Sequence, residues 1–172
     1  MSKKIIFTHY QPSLHTMIDN AISKLDTKID SQIRHYLHHL LAKTMQHPHY
    51  PQVNCEDIIN YFYIKSHVST DHLIMLADRS LLDIGLYPNQ MSSSLITPEF
   101  MVVSGQQLYI DLSQQSPNTD PYEQISQNFI ILMDILLYLR EDFFHQAPLN
   151  QAFIHFLTHQ TDSQFIRSQL KR

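Results

Sequence analysis

Glycine is nearly absent: Gly85 and Gly105 are the only two in 172 residues. Tight hairpins of a sheet protein need positive φ and draw on glycine for it, so this scarcity argues against many-stranded β architecture and for helices. Cysteine is rarer still. Cys55 stands alone, which excludes an internal disulfide and makes a reducing, cytoplasmic setting the expectation. Tryptophan is missing altogether. Long apolar runs are missing too: the longest, "FIILMDILLYL" from Phe129 to Leu139, is interrupted by Asp134 and falls well short of the roughly 20 residues a membrane span needs. The N-terminal "MSKKIIFTHYQPS" offers only Ile5–Phe7 where a signal peptide needs about 7–15 apolar residues. The expected protein is therefore soluble, with no membrane partner. Nor is there a block of lysine and arginine, and the formal net charge is −4, so no nucleic-acid partner is expected.

Hydrophobic residues make up 43% of the chain, enough for a core and too many for disorder. The length suits one domain, taken as 1–172, with 1–12 read as an N-terminal arm. Apolar spacings of three and four recur from end to end and predict an all-α bundle of about six to eight helices. Ser13 caps the first helix, with Leu14, Met17, Ile18, Ala21, Ile22 and Leu25 on one face. "DTKID" interrupts it or is bridged by one longer helix. A second helix spans about Ser31–Gln46 and stops at "HPHYP", because proline neither continues a helix nor tolerates one before it. Further helices are expected at about Glu56–Lys65, Thr70–Leu86, Thr97–Gln114, Asp120–Phe144, Leu149–His159 and Asp162–Lys171. Pro98 after Thr97 and Glu123 after Asp120 are helix-start signals.

Three charges sit inside the apolar "HLIMLADRSLLDIGLYPNQ". At 100° per residue Arg79 and Asp83 fall opposite the Ile74/Ala77/Leu81/Ile84 face and are expected to form a solvent-facing ion pair. Asp78 falls between Ile74 and Leu82 on the apolar side. A carboxylate there has to be hydrogen-bonded or paired, or its pKa rises. It is expected to be buried and to tie helices together.

Four segments, "YLHHLL", "ADRSLLDIGLYP", "EFMVVSGQQLY" and "FIHFLTHQTDSQF", resemble an uncharacterised bacterial family of small all-helical proteins with a Y-L-x-x-L-L, G/A-D-x-x-L and G-x-x-A/L-Y pattern. The resemblance implies an all-α domain and matches Asp78, Gly105 and Tyr109 to positions of that pattern. It brings no activity and no catalytic residues. A glycine in mid-helix costs about 1 kcal/mol against alanine, so Gly105 implies close approach of another backbone, with Asp78 and Tyr109 as polar partners nearby.

Sequences that carry chemistry are few. His35/His39 and His155/His159 have the i, i+4 spacing of paired metal ligands but lie off the apolar faces. Asp142 and His145 have the carboxylate-x-x-His spacing of di-iron bundles, and Asp134, Glu141 and His145 share a stripe of one helix, yet there is no second copy of the motif. Cys55 has no neighbouring sequence that would activate it. No GxSxG, Walker loop, Rossmann fingerprint, CxxC or HExxH occurs. The reading is a non-enzymatic helical interaction or regulatory protein with no cofactor and no bound metal. Its partner is another protein or a second copy, met through apolar surface left over in "IINYFYI" and the Phe129–Leu139 helix. The alternative is a metal-dependent enzyme using histidines and the Asp134/Glu141/His145 stripe as a His/carboxylate site in the bundle.

Overall fold

The computed structural model describes residues 13–64, 67–93, 96–115, 121–144 and 147–171. The N-terminal 1–12, Asp120 and His145 lie outside the described residues. Within them are nine α-helices and no strand: α1 (Leu14–Lys24), α2 (Ser31–Gln46), α3 (Cys55–Ile64), α4 (Thr70–Leu86), α5 (Pro98–Gln115), α6 (Tyr122–Gln127), α7 (Phe129–Asp142), α8 (Gln151–His159) and α9 (Phe165–Leu170), with a 3-10 turn at Pro88–Ser93. They pack as an all-α bundle around one buried cluster that draws on every helix.

The helix starts follow the capping residues. Ser13, Asp30, Ser69 and Asn150 each accept a hydrogen bond from a backbone N–H one turn into the next helix, and Thr97 does the same for Phe100. "DTKID" does break the first helix, with Asp26 at φ 52°, a left-handed conformation that aspartate accepts more readily than most residues. The expected sixth helix is two, which raises the count above eight. At Asn128 the side-chain amide donates to the Gln124 carbonyl at 2.8 Å, competing with the backbone ladder, and the chain turns before α7 begins.

Two helices form the axis. α7 is buried without a break from Leu132 to Arg140, and α4 from Ser80 to Leu86. α4 packs chiefly on α5 and α7, with α3 and the 3-10 turn closing over its remaining sides. The wheel of α4 therefore has no solvent face in its second half. That corrects the expected exposed ion pair: Asp83 is buried, and Arg79 binds it at 2.6 Å while also donating to the Val53 carbonyl at 3.1 Å.

Both glycines stand at helix crossings. A Cβ on Gly85 would lie 2.5 Å from the Leu136 Cβ of α7. One on Gly105 would lie 2.5 Å from the Phe129 ring and 2.6 Å from Ser80 Oγ. The space beside Gly105 is thus taken by side chains of α7 and α4, not by the backbone that the sequence suggests. Neither glycine has positive φ, so close approach is their whole role. Gly105→Ala should accordingly lower stability by about 1–3 kcal/mol through overpacking, against the roughly 1 kcal/mol gained in helix propensity. Denaturant unfolding checks this, and a net gain in stability would contradict the crossing.

Candidate functional site

Asp78 lies in the middle of α4 with 4% of its surface exposed. Three hydroxyls converge on its carboxylate. Tyr36 of α2 donates to Oδ1 at 2.5 Å, Tyr109 of α5 donates to the same oxygen at 3.1 Å, and Tyr50, from the link between α2 and α3, donates to Oδ2. The rings support one another: Tyr36 stands edge-on to Tyr109 and Tyr122, and Tyr109 stacks on Tyr122 with centroids 6.2 Å apart. Three donors on two oxygens suit an ionised carboxylate, which only accepts.

Burial pushes the Asp78 pKa up, and the hydrogen bonds from Tyr36, Tyr50 and Tyr109, with the positive charge of Lys43, pull against it. The tyrosines respond in the opposite sense. Burial and then the Asp78 charge raise Tyr36 and Tyr109 well above the usual phenol value and raise Tyr50 as well. Their protons are held firmly, so none of the three is poised as a nucleophile or a general acid. The energy ledger explains why the arrangement needs all its members. Removing a carboxylate from water costs several kcal/mol, and each hydrogen bond to a charged group returns about 1.5–3 kcal/mol.

Above Asp78 opens a cleft of about 690 Å³ between α2, the α2–α3 link and α4. Lys43 hangs in it with its ammonium 3.9 Å from the centroid of the Tyr50 ring. Histidines 38, 39 and 47 line the same cleft. His38 stacks on His15 of α1 with centroids 3.8 Å apart, and its pKa is lowered by burial and by the neighbouring His15, His39 and His35. His35 and His39 meet edge to face, as the i, i+4 spacing places them, on exposed surface. His155 and His159 are also exposed.

Among the described residues the Asp134 stripe is not assembled into one centre. Asp134 is buried and accepts from the Ser163 hydroxyl and the Gln164 N–H, each at 2.7 Å, which holds the chain at the start of α9. Glu141 instead accepts from the Gln169 amide at 2.8 Å, Asp142 is half-buried at the end of α7, and His145 lies outside the described residues. Arg140, between them, is buried and donates through Nη2 to the Ala147 carbonyl. Among the described residues no three histidine, cysteine, aspartate or glutamate side chains come together in a way that could hold a metal ion. No helix there is long and apolar enough to cross a membrane. Cys55, at the start of α3, donates its thiol to Asp83 Oδ2 at 3.2 Å.

A second concavity, about 810 Å³, lies between the end of α3 and α5. Tyr61 bridges it by donating to Asp111 at 2.7 Å, and Phe62, Val68 and Gln107 contribute to its walls. Beyond it the apolar end of α3 stands in solvent, with Tyr63 85% and Ile64 67% exposed. Of the two segments with apolar residues to spare, the Phe129–Leu139 helix is thus covered, and "IINYFYI" is covered except at its end, Tyr63 and Ile64.

Sequence reasoning placed Asp78, Gly105 and Tyr109 near one another and missed Tyr50. Tyr36 carried a signal, since a tyrosine on a buried helix face must find a partner for its hydroxyl. Tyr50 carried none, because "HPHYP" has no periodicity from which to infer a direction.

Two predictions follow from the carboxylates. Asp78→Ala leaves the buried hydroxyls of Tyr36 and Tyr109 without an acceptor and should cost about 3 kcal/mol or more, while Asp83→Ala strands Arg79 and should cost about 1–3 kcal/mol. A loss below about 0.5 kcal/mol in denaturant unfolding would put either group on the surface. Asp134 has its pKa raised to about 6, by burial against the opposing bonds from Ser163 and the start of α9. A carboxyl raised on folding contributes stability that is present in acid and lost as the pH rises toward the folded value. The wild type should therefore lose stability relative to Asp134→Asn between about pH 4 and 6. Parallel pH profiles of the two proteins would contradict the shift.

Comparison with known proteins finds no matching family model, no matching curated protein and no matching solved structure, which leaves the chain's own geometry to carry a functional reading.

Proposed function

We propose that this is a non-enzymatic interaction protein of the cytoplasm whose partner is another protein, engaged through the free end of α3. The observation that carries the reading is the exposure of Tyr63 and Ile64 beside the groove that Tyr61, Phe62 and Val68 form against α5. Exposed tyrosine and isoleucine cost solvation that burial at an interface would recover, at about 25 cal/mol per Å² of apolar area. The groove alongside combines an apolar wall with a few polar groups, Asp111 and Gln107 among them, that fix the direction of a bound segment. The buried carboxylates support the same reading, because Asp78, Asp83 and Asp134 are each engaged by internal donors. The cytoplasmic setting rests on the single cysteine, which forms no internal disulfide.

A photo-crosslinking residue in place of Tyr63, introduced in the cells that make the protein, tests this. The expected result is a covalent adduct with one discrete protein, lost when Ile64→Asp is added while the unfolding midpoint is unchanged. An adduct between two copies of this chain would replace the partner with self-association. Absence of any adduct would contradict the reading.

A further inference from the structure

We propose that the histidine-lined cleft over Asp78 is a binding site for a small organic carboxylate, occupied more tightly in mild acid. The charge arrangement carries this. Lys43 makes no ion pair among the described residues, and its ammonium is held over the Tyr50 ring inside the concavity. A second hollow of about 430 Å³ adjoins the first and shares Lys43, Gln46, His47 and Tyr50 with it, adding His49. Lys43 thus lines both hollows of this recess, each of which also has imidazoles in its wall. Among the described residues the one acidic group lining the recess is Asp78, and it lies at the floor beneath the hydroxyls of Tyr36, Tyr50 and Tyr109, which occupy its oxygens. What a ligand meets first is therefore a cation and imidazoles, backed by the apolar Leu40, Ala42 and Ile74.

The charge count selects the ligand class. One permanent positive charge above a tied negative one suits a single negative charge on an apolar body better than a phosphate dianion. The imidazoles make the site pH-dependent. The titratable and charged groups around His38 are His35, His39 and Lys43 on its own helix, His15 stacked on it from α1, and Asp78 from α4; His47 and His49 complete the recess. Burial, and then the neighbouring His15, His39 and His35, hold the His38 pKa down. A carboxylate seated against Lys43 favours the protonated imidazole, so binding takes up a proton and strengthens as the pH falls. A carboxylic acid with an ordinary pKa remains ionised at pH 6, so the ligand keeps its charge while the site gains positive charge.

Benzoate is the probe, with benzylamine as its cationic counterpart, followed by the methyl resonances of Ala42 and Ile74 in the NMR spectrum of the full chain. The expected result is saturable benzoate binding at pH 6 that is weaker at pH 8 by a few-fold, about tenfold being the ceiling that a one-unit shift in a single imidazole pKa sets. Lys43→Met should weaken binding at both pH values, and His38→Gln should reduce the pH dependence while leaving the fold intact. The proposal is overturned if benzoate does not saturate, if benzylamine binds as well or better, or if Lys43→Met and His38→Gln both bind as the wild type does.

Discussion

The carboxylate of Asp78 and the three hydroxyls that close on it set the geometry of most of the molecule. One side chain of α4 reaches α2 through Tyr36, α5 through Tyr109 and the α2–α3 link through Tyr50. No apolar contact has that directional demand, because dispersion is satisfied by any close neighbour whereas a buried carboxylate needs donors at fixed places. Its desolvation cost and its hydrogen bonds nearly offset each other, so the cluster adds little to net stability. What it adds is discrimination: an arrangement of helices that fails to bring the three tyrosines together leaves an uncompensated charge in the core.

Around that cluster the helices come together closely enough to need the two glycines. Gly105 admits the Phe129 ring and Ser80, and the same ring lies 6.2 Å from Tyr109, so the close crossing of α5 and the polar cluster share a neighbour. Gly85 does the same for Leu136 of α7. With the second half of α4 enclosed, the remaining charges there had to be paired internally. Arg79 and Asp83 meet each other, the Val53 carbonyl and the Cys55 thiol, which anchors the start of α3. The far end of α3 is tied by the Tyr61–Asp111 hydrogen bond, and its last residues, Tyr63 and Ile64, are left to solvent.

Helix positions were legible in the sequence because capping residues, prolines and three-four spacing act locally; Thr70–Leu86 is found with the predicted ends. The break at Asn128 was not, since asparagine is tolerated within helices and only its bond to Gln124 turns it into a stop. The wheel read Asp78 as enclosed and Asp83 as exposed. A wheel compares one face with its opposite, and it has no means of registering that α3 and the 3-10 turn cover what α5 and α7 do not. The polar cluster was half legible. Asp78 stood out as a carboxylate on an apolar face, Gly105 as a glycine in mid-helix and Tyr109 only through the family resemblance, whereas Tyr50 and the cleft it walls depend on how two distant segments dock.

Two outward features rest on this framework. The recess that holds Lys43 is shaped by the same tyrosines that bind Asp78, and the exposed end of α3 is positioned by a helix whose start is fixed to α4. If the tyrosines were not bound to Asp78, the floor of the recess would present open carboxylate oxygens to whatever entered it. The direct measurement is proton NMR of the tyrosine hydroxyls at neutral pH. The account predicts that Tyr36 and Tyr109, among the nine tyrosines, give downfield hydroxyl resonances in slow exchange with water, linked by cross-relaxation to the Asp78 β-protons. Hydroxyl protons of Tyr36 and Tyr109 exchanging as fast as those of exposed tyrosines would contradict it.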